Sequence, residues 1–334
     1  MGRFGRCEVK PYRGVVALHV DGKPVPPMSF MVRDYFDPYY IQKHVACGHR
    51  ICIFEPPKRW FVLSRGERES WDDSNLKRLI AMSANLYVII ALYFSPGDEW
   101  KEHNPDELCM YENGSVQGEK GIYPSFASTV FERDSCALLR KFIRFINTRD
   151  YTDRIIGYFP EAASTHEWNE FAGPAPADFS PAMHRAFRKF LKRKYRSVTN
   201  LRKAWNDEHV SFETAGVPSA EIRSRTHVGY FRDPSIDRRV MDYYECHSRT
   251  FIDRMTALAK TVKRETKGKA IVGFYHEPTL DSNPEGDYAW YRFIINPHID
   301  FAAGPLAYEQ RSPCLLYTSP SPRDLSTSRM PSSA

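Results

Sequence analysis

The chain lacks most of the short signatures that give an enzyme's chemistry away. No G-x-G-x-x-G or P-loop follows its first apolar run, so the usual phosphate cradle of a nucleotide-binding open sheet is missing. No G-x-S-x-G elbow and no Ser-His-Asp order supports acyl transfer. H-x-H and H-E-x-x-H are absent, so His166 has no partner for a metal, and neither a metal nor another cofactor is expected. The seven cysteines, at 7, 47, 52, 109, 136, 246 and 314, form no C-x-x-C pair and no metal-ligand spacing. An odd, scattered set suits buried or idle thiols in a reducing compartment, and a cytoplasmic location is the expectation. The N-terminus, "MGRFGRCEVKPYRG", has no apolar signal core, and no apolar stretch approaches the roughly 18–20 residues of a membrane helix. No membrane partner is expected.

Charge is also scarce in net terms: 47 basic against 41 acidic residues leaves +6. Much of the excess sits in runs such as "RKFLKRKYR" (188–196), whose spacing is that of a solvated helix face. A nucleic-acid partner would want a sustained basic face with interleaved aromatics, and none is expected. Aromatics are abundant instead, with 19 Tyr and 21 Phe, which suits a pocket for flat or hydroxyl-rich ligands.

From Cys314 the text changes to "CLLYTSPSPRDLSTSRMPSSA", rich in Ser, Pro and Arg and without an apolar period. It resembles the translated read-through of a sequencing adaptor, so residues 314–334 are set aside and the native chain is expected to continue past residue 313.

Upstream, short apolar runs alternate with amphipathic stretches. "ALHVDGKPVPP" (17–27) predicts a hairpin turning at Asp-Gly, within an N-terminal segment 1–27. Strands are predicted at 28–32, 50–57, 87–94, 154–160, 270–278 and 299–308. Helices are predicted from Asp37, over 72–84, 128–148 and 180–195, through "VTNLRKAWND", and over 237–268 and 287–295. Six strand–helix cycles with strands apolar throughout demand a parallel sheet covered on both faces. A doubly wound open sheet and a TIM barrel both fit. Polar and aromatic residues recur at the C-terminal ends of the strands: Arg33/Asp34, Glu55, Asp98/Glu99/Trp100, Glu161 to Trp168, Tyr275 to Glu277, and Tyr308/Glu309. Barrel enzymes build their sites on that rim, so an incomplete (β/α)8 barrel over 28–313 is the expected architecture.

Carboxylates beside aromatics are what glycoside hydrolysis needs. One carboxyl protonates the departing oxygen, and in a retaining enzyme a second, about 5–5.5 Å away, attacks the anomeric carbon. Indole and phenol faces cover the sugar's C–H surface. "STHEWNEF" (164–171) supplies such a set just after the fourth strand. Glu167 is a better acid than Glu161, because it lies deeper in the loop and Trp168 beside it would desolvate the carboxyl and raise its pKa.

"PPMSFM", "SPGDEWKEHNPDEL", "RIIGYFPEAASTHEW", "SPAMHRAFRKFLKRKYRSVTNLRKAWND" and "VPSAEIRSRT" follow one another in a pattern similar to the catalytic barrel of beta-galactosidase-like glycoside hydrolases of family 42. The resemblance spans about residues 17–311 and implies a retaining barrel enzyme acting on terminal β-glycosides, a carbohydrate substrate, and a homo-oligomer in the full-length protein. It implies that the acid/base is the glutamate after the fourth strand. That family usually has Asn-Glu there; this loop reads "HEW", and the only Asn-Glu is Asn169-Glu170, so Glu170 stays open, while Glu167 is preferred because similar chains carry Gly-Glu-Trp at that place. It places Trp100 as a sugar-stacking residue, while the rim and its loop themselves offer His166, Trp168, Tyr275, Tyr308 and Glu309 to the substrate. The family's nucleophile ends the seventh strand. Glu277 and Glu309 follow the fifth and sixth, so the nucleophile is expected in a missing C-terminal part and the fragment is expected to be inactive. A carbohydrate-binding or catalytically inactive barrel is the alternative.

Overall fold

The computed structural model describes residues 4–64, 71–116, 123–161, 176–225, 232–275 and 290–303. His166, Glu167, Trp168, Glu170, Glu277, Tyr308, Glu309 and the tail 314–334 lie outside the described residues.

The chain begins with two tight turns. Arg13 and Gly14 have φ of 50° and 83°, and Asp21 and Gly22 have 47° and 80°. A two-residue hairpin loop with both central residues left-handed matches the strands' own twist, and glycine takes the second position without strain. These turns join β1 (Cys7–Tyr12), β2 (Val15–Val20) and β3 (Lys23–Val25) into an antiparallel sheet. The predicted Asp-Gly hairpin is its second half; β1 extends it.

The strands and helices then alternate: β4 (Ser29–Arg33), α1 (Pro38–Ala46), β5 (Ile51–Glu55), a small strand β6 (Val62–Leu63), α2 (Ser74–Ala81) and β7 (Tyr87–Tyr93). Next come β8 (Ser95–Pro96), α3 (Asp98–His103), α4 (Thr129–Ile146), β9 (Ile155–Glu161), α5 (Pro181–Tyr195), α6 (Val198–Trp205) and α7 (Ala220–Ser224). The last are α8 (Arg238–Glu265), β10 (Ile271–Tyr275), α9 (Trp290–Ile294) and β11 (Phe301–Ala303). Caps set several helix starts: the side chains of Asp37, Ser128, Ser180, Ser197 and Ser219 each accept a hydrogen bond from a first-turn N–H.

Six strands pair in parallel in the order β11-β10-β9-β7-β5-β4, and among the described residues β4 and β11 are the edges. This is an incomplete (β/α)8 barrel. Strand alternation gives each face its own core. On the helix side, Cys52, Phe54, Val88, Ile90, Leu92, Tyr158, Val272 and Phe274 pack against α2, α4 and α8. On the inner side, Ile51, Ile89, Ala91, Phe159 and Ile271 pack with Leu18, Val20 and Val25 of the hairpin sheet, which plugs the N-terminal end. Cys7 N–H ties that plug to the barrel by donating to Lys269 C=O at 2.7 Å. A second core, outside the barrel, joins α5 and α6 to the first turns of α8 through Phe187, Leu191, Leu201, Val240 and Tyr243.

The inner face is filled by alternating small and large groups. A Cβ at Gly273 would lie 2.4 Å from the Phe301 ring, and one at Gly157 would lie 2.7 Å from Ile271 Cγ1. Gly273→Ala must therefore push β11 outward. A loss of about 1–3 kcal/mol in unfolding free energy is expected by urea titration; an unchanged midpoint would show that Phe301 does not sit against β10.

Candidate active site

The parallel register decides what meets at the C-terminal lip. Arg33 lies opposite Glu55, and Tyr93 opposite Glu161. Ile271 lies opposite Gly157, and the same offset brings Tyr275 level with Glu161. Each of these residues is the last of its strand and shares the parity of the inner face. Five polar or aromatic side chains from five adjacent strands therefore stand above the apolar plug.

Arg33 and Glu55 form one unit. Arg33 Nε donates to Glu55 Oε2 at 3.2 Å, and Nη1 donates to the Tyr35 hydroxyl at 3.3 Å. Glu55 is buried and Arg33 is more than half exposed, so a buried carboxylate holds one edge of a largely exposed guanidinium.

Glu161 is 1% exposed. Its neighbour Tyr93 has its phenol pushed up to about 12 by burial, with smaller contributions from Tyr123 and Glu161, while Lys58 Nζ lies 4.7 Å from the centre of the Tyr93 ring. Tyr275 packs its ring edge on Phe159 with centroids 6.2 Å apart. The lip is thus a set of hydroxyl, carboxylate and guanidinium groups on a phenyl floor. Such groups bind a polyhydroxylated ligand through directed hydrogen bonds and cover its apolar face. Among the described residues no three His, Cys, Asp or Glu side chains are grouped as a metal site.

Trp100 lies elsewhere. Ser95–Pro96 of β8 pairs with Val62–Leu63 of β6, which carries the chain outward after β7. Trp100 then sits on α3 at 3% exposure in the helix-side core, its Nε1–H donating to Asp134 Oδ2 at 2.9 Å and its ring edge-on to Phe131. As placed, it offers a sugar no open face. Asp98 and Glu99 leave the rim with it, Asp98 pairing with Lys101 at 2.5 Å. Tyr93 occupies the lip position of that strand. Its signal in the sequence is parity: Tyr87, Ile89, Ala91 and Tyr93 share one face. Tyr275 is on the lip as the sequence suggests. Glu161, ranked there below Glu167, is the described carboxylate at the end of β9.

The family model for beta-galactosidase, glycoside hydrolase family 42, matches residues 98–301. No curated protein sequence matches the chain. Among solved structures, the beta-galactosidase of the psychrophilic Marinomonas ef1 superposes with a TM-score of 0.58 at 16% identity, over 85% of this chain and 42% of that one. The beta-galactosidase of Bacillus circulans sp. alkalophilus gives 0.60 at 17%, over 85% and 40%. The catalytic domain of beta-amylase from Paenibacillus polymyxa gives 0.57 at 14%, over 78% and 71%. The chain spans less than half the length of either beta-galactosidase. At such identities the superpositions speak for the fold.

The lip carries a test of its own in Tyr93. An unfolded phenol loses its proton near pH 10, whereas Tyr93 in the fold holds its proton to about 12. Its contribution to stability is complete below the unfolded pKa and is lost as pH rises from about 10 to about 12. Tyr93→Phe should lose stability less steeply over that window in urea titrations. An unchanged slope would place the phenol in open water. With the family model covering more than half of its length, the chain belongs to the beta-galactosidase family, glycoside hydrolase 42.

Proposed function

We propose that this chain is the greater part of the catalytic barrel of a retaining glycoside hydrolase that removes terminal β-galactosyl groups. The observation that carries the reading is the family match over residues 98–301, joined to a lip whose polar groups all stand on the inner face. In this reading Glu167 is the acid/base. Its carboxyl protonates the glycosidic oxygen as the bond to the anomeric carbon breaks. As carboxylate it then takes a proton from the water that releases the sugar. Glu170 is the fallback for that role. Trp168 stacks on the sugar, and His166, Tyr275, Tyr308 and Glu309 contact its hydroxyls. Arg33, Tyr93 and Glu161 join them from the lip, while the buried Trp100 plays no direct part.

The nucleophile comes from a later strand pairing with β11. An open groove of about 610 Å³ lies where that strand would descend, lined by Val9, Pro11 and Val16 of the plug and by Phe293, Ile295 and Phe301. Val16 and Ile295 are exposed there, and Met31 is exposed on the inner face of β4 at the opposite edge. Apolar side chains exposed on the plug, just after α9 and on the edge strand β4 fit a barrel covered there by further chain.

In a polypeptide extending through those strands, Glu167→Gln should lower turnover of a galactoside with a poor leaving group by about 10²–10⁴-fold. It should spare a dinitrophenyl galactoside much more, because that leaving group needs no proton. Equal losses on both substrates would remove Glu167 from the acid role, and the same pattern in Glu170→Gln would transfer it. On the present chain, calorimetry should show binding of a thiogalactoside that Trp168→Ala weakens by about tenfold, in line with roughly 1–1.5 kcal/mol for an aromatic stacking contact. Binding without turnover by the extended polypeptide would favour a carbohydrate-binding barrel.

A further inference from the structure

"VPSAEIRSRT", singled out in the sequence, includes α7 and carries Arg223, the largest fully buried side chain among the described residues. Its guanidinium lies 4.4 Å from the centre of the Tyr243 ring, 5.4 Å from Phe179 and 5.5 Å from Tyr244, all cation–π distances. From that aromatic cage Arg223 Nη2 donates to Ala177 C=O. The Tyr243 hydroxyl donates to the same carbonyl at 3.3 Å and accepts from Asp178 N–H at 3.4 Å. Asp178, 1% exposed, accepts from Ser125 Oγ at 2.5 Å and from Ser180 N–H at 3.0 Å. Ser180 caps α5, and Ser125 stands two residues after Tyr123, the phenol beside Tyr93 at the lip.

Three separate stretches of backbone converge here: the end of the β7–α4 connection, the start of α5, and the α7–α8 pair. Two of them bear on the lip. Residues 123–128 include Tyr123, whose phenol acts on Tyr93, and residues 176–180 are the first described residues after β9. A charge buried this deeply is costly unless its hydrogen bonds and neighbours are fixed, so the cluster tolerates one arrangement of the three stretches.

We propose that Arg223, with Tyr243, Asp178 and Ser125, is a positioning network that sets the two backbone stretches feeding the sugar-binding lip, Arg223 being its anchor. This rests on the galactoside-binding reading above. The network does not touch substrate; it acts through Tyr123 and through the level at which the chain rejoins the barrel.

The test uses the present chain with mild variants, Tyr243→Phe and Ser125→Ala, beside Arg223→Lys and Arg223→Met. Arg154→Met is the comparator. Arg154, half-buried, ties backbone together at the opposite end of β9, where Nη2 donates to Ser83 C=O at 3.0 Å and to Leu86 C=O. Hydrogen exchange by mass spectrometry should show about tenfold faster exchange confined to 123–128 and 176–180 in Tyr243→Phe, with the hairpin sheet and α4 unchanged. Thiogalactoside affinity should fall about fivefold or more in Tyr243→Phe and Ser125→Ala, be partly rescued in Arg223→Lys relative to Arg223→Met, and stay at the parent value in Arg154→Met despite its lower melting temperature. Uniform loss of protection, or parent-like affinity in both mild variants, overturns the proposal. If the parent chain binds no thiogalactoside, the functional reading fails first and the positioning role falls with it; selective exchange would then mark a purely structural clamp.

Discussion

The register of five neighbouring parallel strands is the constraint on which the rest depends. Because strand parity sends alternate residues to opposite faces, a slip of one residue in β7 or β9 would turn Tyr93 or Glu161 into the helix layer. It would also turn Leu92 or Tyr158 onto the inner face. The apolar layers on both faces forbid that slip. Leu92 and Tyr158 are sealed under helices while Ala91 and Phe159 are sealed over the hairpin plug, so the lip groups take their direction from packing that lies entirely below them. The site's geometry is a by-product of two cores being filled at once.

The plug has a consequence for the chemistry. Leu18, Val20 and Val25 of the hairpin fill the N-terminal end, so among the described residues the polar groups of the inner face gather at the opposite, C-terminal end. The phenyl floor of Phe159 under Tyr275 belongs to the same inner layer. A sugar entering there would meet apolar carbon below and hydrogen-bonding groups around its edge, the combination that favours hydroxyl-rich ligands over anions or nucleotides. The Arg33–Glu55 pair keeps a cation available at the rim without leaving it unbalanced.

Much of this was legible in the sequence because the strands are strongly apolar and the helices carry their own caps. The six barrel strands and the helices of each cycle start within a few residues of the predicted positions, the predicted ends of the last two strands at 278 and 308 lying outside the described residues, and Asp37, Ser180 and the Asp-Gly turn act as the sequence indicates. Three things escaped. β1 alternates cleanly only over Cys7–Lys10 before Pro11 interrupts the pattern, and it is held by pairing with β2. The excursion through β6, β8 and α3 depends on a tertiary pairing between Val62–Leu63 and Ser95–Pro96 that no local pattern announces. That excursion is why Trp100 sits in the core, whereas Tyr93, hidden inside an apolar run, reaches the lip. Arg223 was missed for a related reason: an arginine in a short polar motif reads as surface until its aromatic cage, assembled from Phe179, Tyr243 and Tyr244, is brought around it.

The central claim is that the inner lip of this barrel is where a galactoside sits. A crystal structure of the chain soaked with a thiogalactoside tests it most directly. The account predicts a sugar ring above Phe159, within hydrogen-bonding reach of Tyr93 or Arg33, with the Glu167 carboxyl turned toward its glycosidic atom. A ligand bound only outside the barrel, or a Glu167 side chain directed away from the mouth with the sugar in place, would contradict it.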